Sequence, residues 1–234
     1  MLPKPKVQIR SKTLPVSKQN ISYQPFTVGE EKILLIAAES NEQSEIMDAF
    51  KQVLSNCIVE DIKVGKLPLF DLEFLFILIR SVAVNEIATF QYQGSSVEMD
   101  IRAALDEAAA NVVVPEKRIQ LTEDIGVIMK DMTLDLFIES AREDKGLNET
   151  QIIMRTLARM IDSIYDADNV YNTEDYTIDE VLDFIDSMPT DVLQKLQSYI
   201  ESLPKLRLTT EYVDRTGEKQ TLVLEGLTDF FQYV

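Results

Sequence analysis

The chain has 234 residues, 45% of them hydrophobic, with 40 acidic against 23 basic side chains and no histidine. This is enough apolar material for one large domain or two smaller ones, and the missing imidazole excludes serine and cysteine triads, zinc-protease helices and most mononuclear metal sites. Residues 1–29 hold five basic side chains and no acid, which leaves 18 basic against 40 acidic in the remainder, a net of −22; so anionic a body repels a phosphate backbone and is not expected to bind nucleic acid.

The first segment, "MLPKPKVQIRSKTLPVSK", lacks the apolar block and cleavage site of a secretory signal. Pro3, Pro5, Pro15 and Pro25 remove ladder donors and bias their neighbours to extended conformations. Residues 1–26 are therefore expected to form an extended basic arm with edge strands. Such an arm either lies across its own acidic surface or reaches a second chain. The candidate contacts are Lys4, Lys6, Arg10 and Lys12 with Tyr23 and Phe26, joined near the other end by Phe230, Phe231 and Tyr233, because buried aromatics carry much of the affinity of interfaces. If the arm serves a partner, deleting residues 1–20 abolishes binding and leaves the helical content nearly intact.

"VGEEKILLIAA" (28–38) carries acids where a helix N-terminus favours them. "NEQSEIMDAFKQVLSNCI" places Ile46, Phe50, Val53, Leu54 and Cys57 at helical spacing, which predicts a second helix antiparallel to the first and a buried, inert thiol. "LPLFDLEFLFILIR" (67–80), started by Pro68 and Asp71, is apolar in nearly every direction yet shorter than the roughly 20 residues that span a bilayer. It is expected either at the centre of the N-terminal half or under a docked partner.

Residues 86–102 predict a hairpin about Gly94, and residues 117–131 a strand pair or bent strand with Gly126 at the bend. Helices follow: 133–145, closed by Gly146, and 148–166, with Ile153, Leu157, Met160, Ile161 and Ile164 on one face and Asn148 with Gln151 as capping partners. Thr177 and Glu180 start another helix, which Pro189 ends before "TDVLQKLQSYIESL"; a final hairpin turns at Thr216 and Gly217. The order predicts a mainly helical α+β chain: an arm (1–26), an N-terminal helical lobe with a hairpin (27–110) and a C-terminal helical lobe with a terminal hairpin (111–234).

No cofactor or metal is expected. The seven glycines form no phosphate-cradling pattern, and "YDADNVYNTED" read as a calcium loop from Asp166 puts Tyr171 where glycine must turn the chain. That stretch is expected to be a solvated acidic loop between helices. With so many acids, an enzyme using paired carboxylates stays open as the weakest alternative.

Four segments, "ISYQPFTVGEEKILLIAAES", "KLPLFDLEFLFILIRSVAVNEI", "RIQLTEDIGVIMKDMT" and "LEGLTDFF", together and in this order resemble the baseplate proteins of T-even-type contractile-tailed bacteriophages, described as hub subunits or hub assembly proteins. The resemblance implies a non-enzymatic virion protein, assembled in the host cytoplasm, whose partners are other baseplate hub or tail proteins, with no membrane and with oligomerisation inside the assembly as a further expectation. A transient chaperone of the tape measure or hub proteins, absent from the virion, is the alternative. Some relatives carry cysteine pairs at hairpins comparable to 90–100 and 211–222; this chain has none there, so no zinc role carries over.

Overall fold

The computed structural model describes residues 7–40, 43–83 and 86–226. In chain order these form β1 (Arg10–Thr13), β2 (Asn20–Tyr23), α1 (Val28–Ser40), α2 (Gln43–Cys57), α3 (Leu69–Ala83), β3 (Ile87–Tyr92), β4 (Ser95–Asp100) and α4 (Ile101–Asn111). Then follow β5 (Arg118–Gln120), β6 (Gly126–Met129), α5 (Leu134–Glu143), α6 (Glu149–Met160), β7 (Ile161–Tyr165), β8 (Val170–Asn172), α7 (Ile178–Asp186), α8 (Thr190–Ser202), β9 (Arg207–Val213) and β10 (Lys219–Glu225). The fold is mixed α+β and mainly helical. It divides into two compact units, one of residues 1–112 with 204–234, the other of residues 113–203.

In the first unit, α3 is the centre. Phe70, Leu72 and the run from Phe74 to Ile79 are all buried by their own chain, so an apolar surface on every side is met by packing on every side. Phe76 is met by Phe50 of α2 at 4.8 Å between ring centroids. The arm folds back on this core: β1 and β2 form an antiparallel hairpin, and Leu14, Ile21 and Tyr23 are buried. Asp71, fully buried in the first turn of α3, accepts the backbone N–H groups of Val16 at 2.8 Å and Ser17 at 2.7 Å, so the helix start holds the hairpin's turn.

The β3–β4 hairpin turns at Gly94, whose φ of +78° favours a residue without Cβ. Asp100 ends β4 and caps α4 by accepting from the Ala103 N–H, a helix that the spacing of residues 86–102 did not predict. The last hairpin, β9–β10, belongs to this unit although the sequence order suggested the C-terminal lobe. The Thr210 hydroxyl donates to the Glu98 carbonyl at 3.0 Å, and Arg215 donates twice to the Gly94 carbonyl.

The second unit is a four-stranded antiparallel sheet, ordered β5-β6-β7-β8, with helices over a core of Leu121, Val127, Met129, Leu157, Val181 and Leu196 among others. Both predicted capping boxes are present, Asn148 with Gln151 and Thr177 with Glu180. Two expectations are corrected. The helix of residues 148–166 stops at Met160, and Ile161 and Ile164 lie in β7, because pairing with β6 and β8 satisfies their backbone groups. The stretch 165–175 is not a loop between helices: it turns from β7 into β8 and a short 3₁₀ turn, Thr173–Asp175. Among the described residues no helix is long and apolar enough to cross a membrane.

Candidate interaction site

The sequence-derived contact residues fall into two groups. Lys4, Lys6, Phe230, Phe231 and Tyr233 lie outside the described residues. The others sit on the arm. Arg10 opens β1, half-buried. The Lys12 ammonium pairs with Asp106 at 2.7 Å and lies 5.7 Å from the centre of the Phe74 ring, both partners within the same unit. Tyr23 is 2% exposed, and burial raises its hydroxyl pKa. Phe26 packs on Phe76 with ring centroids 5.3 Å apart.

The arm is fastened along its second strand as well. Gln24 N–H donates to the Cys57 carbonyl, Val59 N–H to the Ser22 carbonyl, and the Glu60 carboxylate receives the Ser22 N–H. Deleting residues 1–20 would thus remove the buried Leu14 and the turn held by Asp71 together with any contact surface. Beyond the fastened part, Val7 and Ile9 are exposed, and the outer edge of β1 has no strand partner among the described residues.

A second surface lies in the other unit. Ile164 of β7 and Tyr171 of β8 are register partners, which puts both side chains on one face of the sheet. Opposite them stand Tyr176, Val181 and Phe184, and a cleft of about 380 Å³ opens between the two sets. Two carboxylates border it. Asp166 accepts the N–H groups of Asp168 and Asn169 and the Tyr171 hydroxyl, which together hold its pKa below the usual value. Glu180 accepts the N–H and hydroxyl of Thr177, with the same downward effect. Both groups stay ionised at neutral pH.

Tyr165, at the cleft's edge, carries the Arg118 guanidinium over its ring at 4.4 Å, and Arg118 Nε donates to its hydroxyl. That ring can lie flat because residue 126 is glycine: a Cβ there would come within 2.1 Å of the Tyr165 oxygen. The acid density of residues 165–175 concealed this cleft. The available signal was Tyr165 and Tyr171 within that stretch and Tyr176 directly after it, too many rings for a merely solvated loop.

Among the described residues no group of three or more Asp, Glu, Cys or His side chains could hold a metal ion. Cys57, which could in principle act as a nucleophile, is buried, and burial pushes its pKa up to about 12.

A family model described as T4 bacteriophage base plate protein matches residues 6–232. The chain belongs to that family. No curated protein and no solved structure matches it. As a phage baseplate protein it is a structural component of the tail and works among other tail proteins. In this baseplate protein the central helix and Leu14, Ile21 and Tyr23 of the arm are parts of its own core.

Proposed function

We propose that this baseplate protein is a non-enzymatic structural or assembly subunit of the central hub of a contractile tail, acting through contacts with other hub or tail proteins. The observation that carries the hub reading is the ordered resemblance of the four quoted segments to hub proteins, within a family match that spans residues 6–232. The outer edges of β1 and β8, which have no strand partner among the described residues, support the contact role, since main-chain hydrogen bonds to an edge give affinity and alternate side chains give selectivity.

The strong negative charge favours a second reading, a chaperone that shields a tape-measure or hub protein during assembly and then departs. Quantitative mass spectrometry of purified virions, with cross-linking of isolated tails, separates the two. Stoichiometric copies cross-linked to central tail proteins support the hub subunit. Copies cross-linked only to peripheral baseplate proteins sink the hub reading, and absence from virions with recovery in tail precursors favours the chaperone.

A further inference from the structure

We propose that the outer edge of β8 and the cleft beside it receive an extended basic segment of a neighbouring tail protein as a fifth strand of the sheet, with a lysine or arginine side chain seated in the cleft. This rests on the reading of the protein as one that works through protein contacts, and it names what such a contact recognises.

Three independent features converge. First, β8 ends the sheet order, and its outer edge has no strand partner among the described residues. A strand added there points every second side chain to the face that bears Tyr171 and Ile164, which is the face that opens into the cleft. Second, the cleft wall is aromatic and aliphatic, with Tyr171 36% and Tyr176 44% exposed. Such a wall suits the methylene stem of a long cationic side chain and attracts its charged head. The unit already contains that pairing, in the Arg118 guanidinium over Tyr165.

Third, the segment that builds the cleft is acidic. Residues 161–190 contain nine acids and no lysine or arginine. Asp166 and Glu180 border the cleft itself, and Glu180 Oε2 alone takes the Thr177 bonds, leaving Oε1 for an incoming cation. A phosphate backbone is repelled by this surface, and an apolar helix laid across it would strip water from carboxylates without replacing it. A basic strand satisfies the edge, the wall and the charge together.

The test uses the full chain and an array of 12-residue peptides tiling the other tail proteins of the same phage, with residues 1–12 of this chain included. Segments that bind are then measured by fluorescence anisotropy against wild type, Tyr171→Lys, Tyr176→Lys and, as a control on a different hairpin, Val213→Lys. The expected result is that bound segments carry basic residues at alternate positions. Tyr171→Lys and Tyr176→Lys should each weaken them about tenfold or more, added salt should weaken them further, and Val213→Lys should change nothing. N-methylating alternate backbone positions of a bound peptide should abolish binding.

The proposal is overturned if no basic segment of another tail protein binds, if only residues 1–12 of this chain bind, or if both cleft variants bind as wild type does with unchanged thermal melts. Failure here is distinguishable from failure of the hub reading. Stoichiometric copies in tails with no peptide binding remove only the cleft proposal; bound peptides with no copies in tails remove only the hub.

Discussion

Replacing Asp71 by asparagine tests whether the arm is part of the core. The carboxylate is fully buried and receives two backbone N–H groups from the hairpin turn, at 2.8 and 2.7 Å. A hydrogen bond to a charged group contributes roughly 1.5–3 kcal/mol, so the pair could account for about 3–6 kcal/mol. Asparagine keeps one acceptor oxygen and turns its NH₂ toward the second N–H, donor against donor. Val16 and Ser17 are half-buried, so water recovers part of the loss. The expected cost is about 3 kcal/mol.

Because the two units can unfold in separate transitions, a global melt alone would blur the effect. Urea denaturation should therefore be paired with hydrogen-exchange mass spectrometry, using peptides from residues 113–203 as an internal reference. Peptides covering residues 14–23 should lose protection while the reference keeps it. A destabilisation under about 1 kcal/mol with unchanged exchange over residues 14–23 would refute the clamp and return the arm to the status of a free contact element.

The Arg159 guanidinium, 7% exposed, bonds Asp144 through both terminal nitrogens, at 2.6 and 2.9 Å, so Asp144→Ala should destabilise the second unit by about 3–5 kcal/mol in urea denaturation. The same bonds from Arg159, joined by Arg155, hold the Asp144 pKa below its ordinary 3.8; its contribution is complete above that range and is lost as pH falls through the depressed value, which an acid titration followed by exchange over residues 140–160 should register in wild type and not in the alanine variant. Gly126→Ala should cost about 1–3 kcal/mol by driving Tyr165 off its position, and pairing it with Tyr165→Ala should recover most of that loss in a thermal-melt double-mutant cycle. The Cys57 thiol, its pKa pushed up to about 12 by burial, should react with a disulfide reagent at pH 8 far more slowly in the native protein than in urea.

Features set by local chemistry were legible from residue order. Thr177 with Glu180 and Asn148 with Gln151 announced their helices, Gly94 and Gly217 their hairpins, and the all-round apolar character of residues 67–80 a helix covered on every side, by its own core or by a partner. What escaped depended on distant partners or on an ambiguous period. Ile161 and Ile164 are three apart, which suits a helix face, yet burial in β7 follows Ile161, Ser163 and Tyr165; no glycine or proline marked the change after Met160, and the deciding bonds come from β6 and β8. α4 had a readable signal in the alanines after Asp100, strong helix formers behind an N-cap residue. Of the contact candidates, Lys12, Tyr23 and Phe26 looked available because the sequence shows an extended arm but not the helix beneath it. The β8 cleft needed the sheet to exist before its tyrosines could be seen as a wall.

The first unit begins before residue 113 and resumes after residue 203. As the ribosome makes this protein, the inserted segment has all of its own partners as soon as it emerges, whereas β4 and α4 must wait for β9 to be synthesised before their exposed side is covered. Until then the nascent polypeptide carries a finished module inside an unfinished one. Truncation near the C-terminus is therefore expected to spoil the early-made half of the molecule and spare the middle.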